Sequence, residues 1–430
     1  MKDETVYDII GIGIGPFNLG LAALLEKLPQ LSSRFIDQSP SFDWHPGLLL
    51  PNTRLQVPFL ADLVTLADPT SKFSFVNFLK MNGRMIQFAI QENNFVTRFE
   101  YNQYCQWVVS QLSNLHFGLK CESIQFDETA NTYIVYVREP GGFPVRFHGK
   151  QIVIGVGTVP SFPECVEDIE HPFVFHSSDY LYKKDSLLSK KHITLVGSGQ
   201  SAAEIFYDLL QYTCQFESLS WFTRSEYPYP MDNSKFGFEM TSPDYIRYFY
   251  NLSARRRKEI LGTQNRNYKG INKELIDAIH ASMYQNLIHN SSYKTAIFPN
   301  CELRHIDILS NNQLKQNYFH LGQKRYFPWS SDGCILATGY KNTIPEFLHS
   351  VKELINWTQD EFYQVNLNYS VDNQNSIFVQ NADLHSHGFN SADLGMGPHR
   401  NAVILNTILK EEHFKMEKNI AFQKFGAPLV

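Results

Sequence analysis

The sequence predicts an α/β fold containing two copies of one strand–turn–helix unit. Gly11-Ile-Gly13-Ile-Gly15-Pro16 follows the apolar, β-prone run Tyr7-Asp-Ile-Ile, and Gly197-Ser198-Gly199-Gln200-Ser201 follows His192-Ile-Thr-Leu-Val. Each turn opens a stretch of helical character. A single glycine-rich turn is weak evidence, because such loops also serve as ordinary tight turns. Two turns with matching flanks carry far more weight.

The first unit continues with a helix from about Phe17 to Leu28 and a second strand, Arg34-Phe-Ile-Asp37. Strand, glycine turn, helix and strand ending in an acid form the Rossmann pattern. Gly11, Gly13 and Gly15 permit a tight turn, and with Pro16 they bring backbone N–H groups to a pyrophosphate at the positive end of the helix. Asp37, about 22 residues past Gly15, suits a ribose diol, although a solvated strand-end acid would look the same. In the second unit the helix runs through Ala202-Ala-Glu-Ile-Phe-Tyr-Asp-Leu-Leu, and the next strand, Leu219-Ser-Trp-Phe-Thr, ends in Arg224. Arginine there can grip a 2′-phosphate that a carboxylate would repel, which predicts NADPH over NADH.

Two further apolar strands, Ile152-Val-Ile-Gly-Val-Gly157 and Cys334-Ile-Leu-Ala-Thr-Gly339, bracket the second unit. They predict a discontinuous first domain, residues 1–165 and 335–430, with a second domain inserted at 166–334. Residues 227–290 are polar, aromatic and helical in period, and predict a small helical subdomain on the substrate side. The stretch from about Ile420 carries no functional signal.

At 430 residues, two or three domains are expected, and 43% hydrophobic with 19% charged residues describes a well-cored chain. A net charge of −5 gives no footprint for nucleic acid. Six cysteines without C-x-x-C spacing argue against a zinc site and fit reduced thiols. The N-terminus enters a strand directly, and Leu19-Gly-Leu-Ala-Ala-Leu-Leu is too short to span a bilayer. A cytoplasmic protein without membrane insertion is the expectation, and a homo-oligomer, dimer or tetramer, is compatible with it.

Two dinucleotides on one chain imply redox transfer between them. Disulfide reductases need paired cysteines after the first helix, and amine oxidases usually lack a second dinucleotide fold. A flavin monooxygenase using FAD and NADPH remains. The stretches Phe42-Asp-Trp44-His45-Pro-Gly-Leu, Leu55-Gln56-Val-Pro-Phe-Leu-Ala61-Asp-Leu-Val, Asp68-Pro-Thr-Ser-Lys-Phe-Ser-Phe and Phe175-His-Ser-Ser-Asp-Tyr then become specific. With Asn265-Arg-Asn267-Tyr268, Ala337-Thr-Gly-Tyr and His387-Gly388, the chain resembles the siderophore N-hydroxylating monooxygenases, the lysine and ornithine N-hydroxylases, over nearly its whole length.

The resemblance implies that NADPH reduces FAD, that O₂ adds to the flavin C4a, and that the hydroperoxide passes its distal oxygen to a primary amine. It implies that Trp44, His45 and Gln56 lie along FAD and that His387-Gly388 closes the backbone over the flavin. Asn267 would face the nicotinamide ribose and the substrate, with Tyr268 beside it. Gln56 and Asn267 are the residues expected nearest the chemistry. Trp44 equally suits a packed core aromatic, and His45 a loop-stabilising role. The amine must be neutral to attack: with an alkylammonium pKa near ~10.4, freeing its lone pair at pH 7 costs roughly 4.6 kcal/mol. A poorly hydrated pocket reduces that cost.

The chain departs from the resemblance where amino-acid hydroxylases hold the α-carboxylate and α-amine. Ala61 replaces a lysine, Phe238 aligns with an asparagine or acid, and Gly395 replaces a serine. A charge-assisted hydrogen bond contributes about 1.5–3 kcal/mol, so losing several leaves a free carboxylate badly held. The substrate expected is therefore a decarboxylated amine such as putrescine, cadaverine or histamine. L-Lysine or L-ornithine is the alternative, and a non-catalytic nucleotide-binding redox sensor the third. Asp393, Glu239 and Asp62 are candidates for holding the distal ammonium of a diamine.

Overall fold

The computed structural model describes residues 5–139, 141–289 and 294–428. Strand Val6–Ile12 runs parallel to Ser33–Asp37 on one side and to Pro144–Ile154 on the other. The sheet continues outward to Leu115–Phe117 at one edge and to the antiparallel strands Thr132–Arg138 and Lys120–Asp127 at the other, and Ile377–Val379 joins Pro144–Ile154. The central strands read as near-continuous apolar runs because both faces are covered. Ile9, Phe35 and Val153 pack with Leu21 and Leu24 of helix Pro16–Leu25, and Ile10, Ile36 and Ile152 form the opposite face. That helix stops at Leu25, short of the expected Leu28. The N–H groups of Lys27 and Leu28 bond to the carbonyls of Leu24 and Leu25, tightening the last turn, and Pro29 follows.

The second sheet is parallel throughout, in the order Lys294–Phe298, Ser218–Phe222, His192–Gly197, Gly333–Ala337, Val174–His176. Two expectations about boundaries need correction. Strand Gly333–Ala337 belongs to this second sheet, so a return at residue 335 would cut it in two. The chain crosses back after it, where Tyr340–Lys341 pairs with Val159–Pro160 in a two-stranded ribbon. Helix Lys273–His289, placed by its period in the helical subdomain, packs on helix Gln200–Leu209. It is the crossover between the neighbouring parallel strands Ser218–Phe222 and Lys294–Phe298. The helical subdomain is therefore smaller, with helices Lys235–Phe238, Pro243–Tyr250, Ala254–Thr263 and Asn265–Tyr268. A three-stranded antiparallel sheet, Cys301–Ile308, Leu314–His320 and Arg325–Ser331, adds a module that sequence reading did not predict.

No described helix is long and apolar enough to cross a membrane. Among the described residues no group of three or more His, Cys, Asp or Glu could hold a metal, and all six cysteines are free.

Candidate active site

Both glycine turns open onto one cleft of ≈ 1600 Å³ between the two sheets. Ile14, Gly15, Pro16 and Asp37 line it from the first unit, and Gly197, Ser198, Gly199, Gln200, Ser201 and Arg224 from the second. Helices Pro16–Leu25 and Gln200–Leu209 each begin after a glycine, Gly15 and Gly199, and neither has a side-chain cap. Their first N–H groups are thus left for a ligand, and the helix dipoles make both ends positive. The backbone crowds close behind the turns. Gly13 has φ +89°, and a Cβ there would lie 2.4 Å from the carbonyl oxygen of Gly155. A Cβ on Gly197 would lie 2.3 Å from that of Ala337. Two uncapped helix ends with glycine-only approaches fit two dinucleotide pyrophosphates. Gly11 and Gly13 lie behind the cleft lining, where they allow close packing; a Cβ on Gly11 would meet the Phe35 ring.

Asp37 is locked in orientation, its Oδ2 accepting from the Ile14 N–H and its Oδ1 from the Ser39 N–H, both at 2.7 Å. In the second unit the Thr223 hydroxyl donates to Ser198 Oγ at 2.7 Å, and the largely exposed Arg224 guanidinium lies 3.9 Å from Glu302. Trp44 packs edge-on against Tyr101 at 5.1 Å while lining the cleft, so it serves packing and site together. His45 takes a left-handed conformation (φ +52°) just before the short helical turn Pro46–Leu48 and also lines the cleft.

The two halves meet at Gln56, whose Nε2 donates to the Gly270 carbonyl at 3.1 Å. Asn267 lines the same cleft, and the adjacent Tyr268 ring stacks on Phe389 at 5.8 Å with a 7° interplanar angle. His387 and Gly388 do not line the cleft. The His387 ring is buried, stacked on Tyr369 at 4.5 Å and 2.9 Å from Ser386 Oγ, and burial pushes its pKa down to about 4. Gly388, at φ +75°, turns the chain so that Phe389 and Ser391 form the wall expected of the pair itself.

Of the three positions where the resemblance implies a substrate clamp, Phe238 lines the cleft. Ala61 and Gly395 are buried outside the lining and adjoin each other, and Gly395 also adjoins Asp393. Asp393 Oδ1 accepts the Gly395 N–H at 2.7 Å, and Asp393 lines the cleft. Asp393 is half-buried, and desolvation pushes its carboxyl above the usual range against the opposing N–H groups of Gly395 and Met396 and the charge of Arg400. The other two ammonium candidates are engaged elsewhere. Asp62 accepts the N–H groups of Val64, Thr65 and Phe75 and the Thr65 hydroxyl, and Glu239 accepts the N–H groups of Phe422 and Gln423.

Two features escaped sequence reading. Arg98 lines the cleft and pairs at 3.2 Å with the buried Glu204 of helix Gln200–Leu209, tying the halves together. Arg400 and Asp383 lie fully buried beneath Asn390 and Ser391, whose carbonyls Arg400 holds. Neither pair has a local sequence signature, since its partners come from separate elements.

The family model for L-lysine 6-monooxygenase/L-ornithine 5-monooxygenase matches residues 5–342. The chain belongs to this family. It is similar to a putrescine N-hydroxylase of Shewanella oneidensis, 45% identical across 99% of this chain and 85% of the relative. Among solved structures it is similar to the FAD-bound cadaverine monooxygenase of the desferrioxamine pathway of Erwinia amylovora. That match has TM-score 0.96 and 42% identity, covering 99% of this chain and 100% of the other. The Kutzneria ornithine N-hydroxylase, solved with reduced FAD, NADP⁺ and L-ornithine, matches at TM-score 0.87 and 26% identity, over 94% and 99% of the two chains. The family thus includes amino-acid and diamine hydroxylases on one fold.

Proposed function

We propose that this enzyme N-hydroxylates a diamine of putrescine or cadaverine size, using FAD, NADPH and O₂, as a step toward a hydroxamate siderophore in the cytoplasm. The single observation that carries the reading is the trio Ala61, Gly395 and Asp393. Where a carboxylate clamp would need a cation and a hydroxyl, the chain supplies a methyl group, a hydrogen and an anion. An anion repels a carboxylate and attracts an ammonium. The putrescine and cadaverine enzymes among its relatives support the same reading.

The helix end at Gly15-Pro16 and the oriented Asp37 would hold the FAD pyrophosphate and ribose, and Gly199 and Arg224 the NADPH pyrophosphate and 2′-phosphate. Bound FAD, once reduced, supplies the oxygen-activating chemistry. The chain's own task is placement. Asp393 anchors the distal ammonium through its cleft-facing side, which orients the other amine along the cleft toward Gln56 and Asn267. Phe238 and Phe389 contribute apolar surface to the cleft, and at the reacting nitrogen such surroundings disfavour the ammonium and favour the free lone pair. The test is a panel of putrescine, cadaverine, histamine, L-lysine and L-ornithine, scored by hydroxylamine product because NADPH consumption also counts peroxide release. Product from a diamine and little from either amino acid is expected; efficient coupling with lysine or ornithine alone would overturn the reading.

A further inference from the structure

The segment Asn419–Phe425, silent in the sequence, returns across the molecule to the helical subdomain. Asp244, at the start of helix Pro243–Tyr250, receives two of its N–H groups: Asn419 on Oδ1 at 3.1 Å and Ala421 on Oδ2 at 2.9 Å. Glu239 receives the next two, from Phe422 and Gln423, each at 3.0 Å. The Gln423 side chain donates to the Phe236 carbonyl at 2.8 Å, and the Phe425 ring packs edge-on against Tyr245 at 5.1 Å. Two carboxylates each gripping two successive or near-successive N–H groups fix the segment in register, where one surface ion pair would not.

What the segment grips is the wall of the cleft. Phe238 directly precedes Glu239, and Phe238 and Thr241 line the cleft on either side of it. The same stretch is joined to the first domain by Asn390 Nδ2, which donates to the Met240 carbonyl at 3.0 Å, and by Tyr245 against Phe389 at 6.0 Å. The returning segment begins beyond helix Met396–Leu409, which packs on helix Pro16–Leu25 of the first domain. It therefore runs from the body of one domain to the small helical unit inserted in the other.

We propose that Asn419–Phe425 is a strap that sets the position of the Phe236–Tyr250 segment over the substrate end of the cleft, with Glu239, Asp244 and Phe425 as positioning residues. Releasing it lets Phe238 withdraw, admits water beside the amine and loosens diamine binding, while the NADPH pyrophosphate site at Gly199 is untouched. The choice of diamine as probe rests on the function proposed above, so the test carries one arm that needs no amine.

Phe425→Ala and Glu239→Ala are compared with the parent as flavin-loaded enzyme, with Phe425→Tyr as the conservative control. The strap predicts at least a fivefold rise in KM for putrescine or cadaverine and a larger share of hydrogen peroxide. KM for NADPH should change less than twofold, and Phe425→Tyr should behave like the parent. In the amine-free arm, hydrogen exchange over residues 236–250 should quicken in both alanine variants. Unchanged exchange there overturns the strap, as does a loss of flavin or thermal stability with the diamine KM and coupling intact. A parent that exchanges as expected but yields no hydroxylamine from any diamine counts against the substrate assignment instead.

Discussion

The Cβ of Ala61 lies 3.3 Å from the point where a side chain on Gly395 would begin. Two positions selected separately, because each lacks a polar group expected of an amino-acid hydroxylase, turn out to be neighbours. Asp393 Oδ1 lies 3.0 Å from the same point. A side chain at 395 would press on both, so the small residues at 61 and 395 and the placement of the Asp393 carboxylate belong to one steric arrangement.

Ala61→Lys places a cation within reach of Asp393. It neutralises the anion that would hold the distal ammonium and also buries a long side chain where Ala61 is only 5% exposed. KM for putrescine or cadaverine should rise at least about tenfold, equivalent to about 1.4 kcal/mol, without appearance of efficient lysine turnover. Steady-state hydroxylamine formation with both substrates checks this.

Asp393→Asn removes the charge and keeps the shape. With charge-assisted bonds contributing about 1.5–3 kcal/mol, diamine KM should rise about 10- to 100-fold and kcat much less. The pH dependence has a definite sign. Because desolvation holds the Asp393 carboxyl above the usual range, its charge is lost at a higher pH than an ordinary aspartate's as acid is added. Parent KM should climb on the acidic side, and that limb should vanish in Asp393→Asn; identical profiles in the two enzymes would refute the assignment.

Arg224→Ala should raise KM for NADPH about tenfold and leave that for NADH nearly unchanged, since only the former carries the 2′-phosphate. Stopped-flow flavin reduction by each nucleotide distinguishes them. Equal losses with both would mean that Arg224 holds something common to the two.

Gly13→Ala forces a methyl group into the Gly155 carbonyl at a residue with φ +89°. The turn must open, and the enzyme should purify with little FAD while its far-ultraviolet circular dichroism stays near that of the parent. A fully yellow variant would show that the turn tolerates a side chain and does not approach the dinucleotide.

Asp383 is buried with Arg400 and takes a 2.7 Å hydrogen bond from the Ser391 hydroxyl. Burial works to raise its carboxyl, and Arg400, His387 and Ser391 outweigh that, leaving it below the usual range. Asp383→Ala strands a buried guanidinium and should cost about 3–5 kcal/mol, read as a fall in Tm. A carboxyl lowered in the folded state contributes stability above its unfolded pKa of about 3.9 and loses it as pH falls through the folded value. The Tm gap between parent and variant should therefore be full at neutral pH and narrow only below about pH 4.

Local chemistry made much of this protein legible from its residues. Glycine turns at Gly11–Gly15 and Gly197–Gly199, their flanking apolar strands, Asp37 and Arg224 lie within single strand–turn–helix units, where short-range sterics and periodicity decide the outcome. Those residues determined an α/β chain with two dinucleotide turns, and the structure opens both onto one cleft. The tertiary structure alone decided what distant segments do to one another. It assigned strand Gly333–Ala337 and helix Lys273–His289 to the second sheet, moved His387 out of the cleft lining, and tied Arg98 to Glu204. It also separated three acids that look alike in sequence: Asp62 bonds to nearby N–H groups, Glu239 to a distant segment, and Asp393 faces the cleft. An acidic side chain takes its role from the donors around it, and those donors are gathered by the packing of remote elements, which no local pattern records.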